Sequence, residues 1–178
     1  HVRSRRQRQM CIRDRYNSSR RRSVTGRDAR ATRPVVDPIM VSRSRDLLER
    51  AYVLLDNADG VADGAERFRQ YYLAALRGAG AALAVYEPPG RPRRRGSANA
   101  WSRIAVVAPA LAGEADVFAS LSPTRMRIES GIVRTIDTKY VTAMRAAVTG
   151  FLRRVEDLII AYEQGRLEQQ TDAMGHTA

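Results

Sequence analysis

Cysteine occurs once, lysine once and histidine twice in the 178 residues. The lone Cys11 excludes an intramolecular disulfide and any zinc cluster that needs several thiolates. His1 and His176 stand at the two ends, so the stretch between them offers no imidazole for a metal site, a triad or an acid–base pair. Long apolar runs are also missing. The longest, "AVVAPALA" from Ala105, contains a proline and is far shorter than a membrane span. The basic N-terminal stretch has no apolar core behind it, so no secretory signal is expected and cytoplasm is the default, with no membrane partner.

What is abundant is arginine. The chain carries 31 basic and 19 acidic residues, a net charge of +12, and only Lys139 is lysine. Such a bias toward arginine and alanine reflects a GC-rich genome before it reflects any chemistry. The excess is concentrated at one end: residues 1–41 hold 12 arginines against Asp14, Asp28 and Asp37, whereas residues 42–178 hold 19 basic and 16 acidic residues.

Part of that end is not protein-coding in origin. Residues 5–15, "RRQRQMCIRDR", back-translate without mismatch to the end of a common transposase-type sequencing adapter, so residues 1–15 are read as a disordered, adapter-derived artefact. Residues 16–41 read either as a native, disordered basic arm or as upstream DNA translated in frame. Met40, just before the first helical pattern, is the expected native start.

From Ser42 the pattern is helical. Leu47, Leu48, Ala51, Leu54, Leu55 and Ala58 form one stripe, with Ser42 or Ser44 expected as the N-cap, Asp46 near the helix start and one turn before Arg50, and Gly60 as a left-handed stop. A second stripe runs from near Asp63 to Tyr86 and ends at Pro88 and Pro89. A third, from Trp101 through Ile104, Leu111 and Phe118 to Leu121, stays in phase across Pro109 and predicts one kinked helix or two stacked end to end. Ser122 and Pro123 predict the cap and first turn of a further short helix ending near Gly131. Val141, Val148, Val155 and Tyr162 recur every seven residues, with Met144, Phe151 and Leu158 between them, and predict a long helix over about 137–164. Within it Gly150 costs about 1 kcal/mol relative to alanine and is expected to admit a close neighbour. Residues 165–178 are polar and expected to be disordered. The predicted class is all-α: an antiparallel four- to five-helix bundle over residues 42–164 with a long C-terminal core helix.

Several features invite chemical readings. The stretch "DNADGVADGAE" fails as a calcium loop in both registers that place a glycine at the turn, so Asp56, Asp59 and Asp63 read as turn and capping residues. "GAGAAL" from Gly78 has no preceding strand and no third glycine, and reads as close helix packing rather than a dinucleotide loop. Glu156 and Asp157 read as surface partners of Arg153 and Arg154, and Trp101, Phe118 and Phe151 as core. No metal and no cofactor is implied.

Two basic sets remain. Arg91, Arg93, Arg94 and Arg95 crowd one loop without an acid among them, and Arg125, Arg127 and Arg134 flank the entry to the last helix. Guanidinium groups grip phosphates by forked hydrogen bonds, so both sets are candidates for nucleic-acid binding, against the plain reading of solvated charge.

The runs "SRSRDLLERAYVLLDNADG", "FRQYYLAALRGAGAALAVYE", "WSRIAVVAPALAGEADVFA" and "RIESGIVRTIDTKYV", followed by the heptad helix, resemble an actinobacterial, SAV-type branch of the HEPN family over residues 42–164. The resemblance implies an all-α protein that commonly forms a homodimer, with members acting as metal-independent endoribonucleases, toxin components, or binders of RNA or nucleotides. Catalytic members carry an arginine followed four to six residues later by histidine. Here the match is Arg134 and Tyr140, the weak catalytic candidates, with tyrosine in place of histidine. A phenol, with an ordinary pKa of about 10, is a poor base at neutrality, so a non-catalytic RNA- or nucleotide-binding module is expected before an atypical endoribonuclease or a pure protein-interaction bundle with a protein partner.

Overall fold

Asp37 begins the first helix. Its carboxylate accepts from the Ile39 amide at 2.9 Å, and Pro38 supplies a first helical position where no amide is needed. The structure, a computed structural model, describes residues 36–87 and 99–165. Expectations for residues 1–35, for 166–178 and for Arg91, Arg93, Arg94 and Arg95 lie outside the described residues.

Five α-helices follow in order: α1 (Pro38–Asp59), α2 (Gly64–Tyr86), α3 (Ala100–Val107), α4 (Ala112–Glu129) and α5 (Thr138–Glu163). Among the described residues there is no strand, and the all-α expectation holds. The start of α1 corrects the sequence reading. Ser44 does not cap; it is fully buried, and its hydroxyl donates to the Ala81 carbonyl of α2 at 2.8 Å. Asp46 accordingly lies well inside the helix. Gly60 is no left-handed stop either, since its φ is −81° and the turn closes through its own amide on the Asn57 carbonyl and the Val61 amide on the Ala58 carbonyl.

Asp63 caps α2 as expected, accepting from Glu66 at 2.9 Å. Arg67 secures the turn before it by donating to the carbonyls of Val61 and Ala62. Pro109 sits in a single 3-10 turn, Pro109–Leu111, that separates α3 from α4, so the two-helix alternative is the correct one. The apolar phase survives this break: Ile104, Leu111, Ala115 and Phe118 are all buried. No new helix starts at Pro123. It lies inside α4, and Ser122, instead of capping, donates back to Phe118 at 3.3 Å.

Helix directions follow from the contacts. Ser44 reaches Ala81 and Asp59 reaches Tyr71, so α1 and α2 run oppositely. Arg45 pairs with Glu163, and Asp59 with Arg145, which sets α5 opposite to α1. Gly64 lies against Ile136 and Val141, and Tyr86 reaches Leu158, so α2 and α5 run in the same direction.

The close approach foreseen at Gly150 occurs instead at Gly78. A Cβ there would stand 2.4 Å from Leu152 Cδ2 and 3.2 Å from Phe151 Cε1, whereas one at Gly150 would meet nothing within 4 Å. The small residues from Gly78 onward, with Ala79, Ala81 and Ala82 buried, are packing residues as expected.

Candidate functional site

The region between α4 and α5 is shaped by its backbone before any side chain acts. Gly131 has φ of 72°, the left-handed region that glycine enters without Cβ strain. With it there, the Ile132 amide bonds to Arg127 and the Gly131 amide to Ile128, both at 2.9 Å. This is a Schellman closure, which satisfies carbonyls that the end of a helix otherwise leaves unpaired. The chain then runs without regular structure to Asp137, whose carboxylate accepts from the Lys139 amide at 2.9 Å and caps α5.

Three arginines were expected to act together here, and the structure separates them. Arg127 and Arg134 are exposed, and neither makes an ion pair among the described residues. Arg134 has one weak internal bond, from Nε to the Gly131 carbonyl at 3.4 Å. Arg125 faces inward. Its Nη1 donates to Glu129 at 2.8 Å and its guanidinium carbon lies 5.4 Å from the centre of the Tyr72 ring. Its Nε is closed off from solvent without a partner. Spacing alone does not distinguish an arginine that packs from one that projects.

Tyr140 is 61% exposed, and the Lys139 ammonium lies 5.5 Å from its ring centre. No hydrogen bond joins it to Arg134. The junction also exposes Met126 and Ile132, at 60% and 69%. Neither was singled out by the sequence reading, because each falls outside the apolar stripes.

The core beneath is anchored by aromatics. Trp101 stacks on Phe118 at 4.9 Å, and Phe151 meets Phe118 edge-on at 5.2 Å. The Trp101 indole donates to the Tyr72 hydroxyl at 2.7 Å, which in turn donates to the Phe118 carbonyl and lies 2.5 Å from Ser122 Oγ. The polar ends of two buried rings are thereby satisfied. Through its contact with the Tyr72 ring, Arg125 ties this cluster to the last turns of α4.

Other charges are spent on holding helices together. Hydrogen bonds from Arg145, then from Tyr71, hold the Asp59 carboxyl down from 3.8 to about 2. Burial, then the bond to Asp59, pushes the Tyr71 phenol up to about 12. Asp59 is therefore a tie between α1, α2 and α5 rather than a turn residue. Arg154 pairs with Glu114 of α4, and Glu156 accepts from Tyr52 of α1 at 3.2 Å, so the expected pairing of Glu156 and Asp157 with their own neighbours gives way to contacts between helices. A shallow groove of about 310 Å³ near the start of α4 is lined by Gly113, Glu114, Val117, Phe118, Ala147 and Arg154. Among the described residues no group of three or more His, Cys, Asp or Glu is placed to hold a metal ion, and no helix is long and apolar enough to cross a membrane.

Residues 58–156 match the model of one protein family, described as SAV_6107-like HEPN. No curated protein and no solved structure matches the chain.

Proposed function

Since the chain belongs to the SAV_6107-like HEPN family, we propose that it is a non-catalytic module that binds RNA or a nucleotide at the junction of α4 and α5. The observation that carries the reading is the pair of exposed arginines, Arg127 and Arg134, each without an acidic partner among the described residues. Arg45, Arg69, Arg103, Arg125, Arg145 and Arg154 each have one, and Arg43, Arg50, Arg67, Arg77 and Arg153 also lack an ion pair among the described residues, so what singles out Arg127 and Arg134 is their position at the α4–α5 connection. An arginine neutralised by a neighbouring carboxylate has little left to offer a phosphate, whereas a free one releases counterions when it binds. Arg91, Arg93, Arg94 and Arg95 add to the same charge in the sequence. Arg125 contributes by steadying the end of α4.

Chemistry on RNA needs a group that accepts and returns a proton near neutrality, and between the chain ends there is no histidine. Tyr140 stands where the family's catalytic members place it. The proposed working unit is a cytoplasmic homodimer of four- to five-helix bundles, each built around α5. Light scattering decides the dimer.

The test uses the full chain with labelled, structured RNA in the presence of a chelator, beside Arg134→Ala. Binding should weaken as salt rises, and the substitution should lower affinity and reduce the salt slope by about 1. Specific cleavage that disappears in Arg134→Ala would replace this reading with an endoribonuclease using Arg134 and Tyr140. Absence of any salt-sensitive binding would leave a protein-interaction bundle.

A further inference from the structure

Tyr140 is the one exposed aromatic side chain among the described residues; Phe68, Tyr71, Tyr72, Trp101, Phe118 and Phe151 are buried, and Tyr52, Tyr86 and Tyr162 are half-buried against the core. The exposure is not an accident of a wholly apolar surface. Seven large hydrophobic side chains are exposed among the described residues, and three of them, Met126, Ile132 and Tyr140, fall within the short stretch around the α4–α5 connection. The same stretch carries Arg127 and Arg134, and Lys139 beside the Tyr140 ring. The Tyr140 hydroxyl makes no hydrogen bond among the described residues, so the ring is not held there for its polar end.

Resting on the binding reading above, we infer that Tyr140 is a stacking platform for an unpaired base, and that the ligand of this surface is single-stranded RNA rather than duplex. An exposed ring offers a base its π-face, while Arg127 and Arg134 supply cations for phosphates; Lys139, paired with Asp137 at 3.4 Å, contributes through its place beside the ring. A duplex hides its base faces in the stack and presents mainly phosphates and sugar hydroxyls, so it gains nothing from the tyrosine. The identity of the residue then follows from its work. A phenyl-type ring with an adjacent cation suits stacking.

The experiment measures anisotropy of a labelled short oligouridylate bound to the full chain, with an unlabelled RNA duplex of the same length and inorganic polyphosphate as competitors. Oligouridylate should be preferred to both. Tyr140→Ala should lower its affinity on the order of ten-fold, and Tyr140→Phe should retain most of it, while duplex binding stays unchanged in both variants. Equal affinity for polyphosphate and oligouridylate, or a Tyr140→Phe variant as weak as Tyr140→Ala, would overturn the inference. So would a Tyr140→Ala protein that binds oligouridylate normally, or one whose only change is a smaller particle in light scattering, which would assign the ring to a protein contact. If Arg134→Ala still weakens binding while Tyr140→Ala does not, the stacking role alone falls. If the wild-type chain binds neither RNA, the binding reading falls and takes this one with it.

Discussion

The seam between α2 and α5 and the connection between α4 and α5 share a helix, yet they treat side chains in opposite ways. Along the seam, Gly78 lets Phe151 and Leu152 approach so closely that a Cβ would clash with Leu152, and both of those side chains are buried. At the connection, Met126, Ile132 and Tyr140 stand in the open beside unpaired arginines. The middle of α5 has no room for another atom against Gly78, whereas its start leaves Tyr140 in the open. The same helix thus contributes buried side chains such as Val148, Phe151 and Leu152 and, at its start, the exposed Tyr140 of the candidate site. Damage to the seam should therefore be read in stability, and damage to the connection in binding.

The comparison breaks most severely where the aromatic cluster is opened. Phe118 is 1% exposed and touches Trp101, Tyr72 and Phe151, so Phe118→Ala should cost about 3–5 kcal/mol in urea unfolding. A loss below about 1 kcal/mol would mean that the cluster is not closely packed. The two glycines facing and leaving the seam give an opposed pair. Gly78→Ala must displace the buried Leu152 and should cost about 1–3 kcal/mol. Gly150→Ala meets open space in a helix interior and should instead stabilise by about 1 kcal/mol. Thermal melts of both variants would show whether the signs differ.

The smallest expected effect is electrostatic. A carboxyl whose folded pKa is lowered contributes stability that is present above its ordinary 3.8 and is lost as pH falls toward about 2. Glu66 behaves in the same sense, from 4.5 to about 2, through hydrogen bonds from Arg69 and then Gln70. Because the Asp59 side chain is 36% exposed and its partner Arg145 is 47% exposed, solvent screens most of the gain. The urea midpoint of Asp59→Asn should consequently fall slightly less than that of the wild type on acidification through this window.

Much of this arrangement is legible in the residue order, and its failures share a cause. The seven-residue spacing of Val141, Val148 and Val155 marks the buried face of α5, and Asp63 and Asp137 mark two helix starts, because those signals are local. The start of α1 was misplaced because Ser44 looks like a cap but is consumed by the Ala81 carbonyl of another helix. Pro123 looks like a beginning, yet the helix around it continues, held by Leu121 against the core and by Ser122 beside Tyr72. Gly78 opens a run of small residues that reads as close packing, whereas the open space beside Gly150, expected to admit a neighbour, shows only in the structure. The candidate site divides along the same line. Arg127 and Arg134 are visible as charge, but the inward turn of Arg125 depends on where the Tyr72 ring lies.

Trp101 is the only tryptophan in the chain, and it sits at the centre of the buried aromatic cluster with its indole nitrogen bonded to a phenol. Selective excitation of that ring therefore watches the core without interference from any second emitter. Because it lies far from solvent while Tyr140 is bathed in it, an oligonucleotide landing on the surface should leave the emission unmoved, and unfolding should shift it to the red. A single optical signal thus tells a ligand-binding defect from a collapsed protein, without a label.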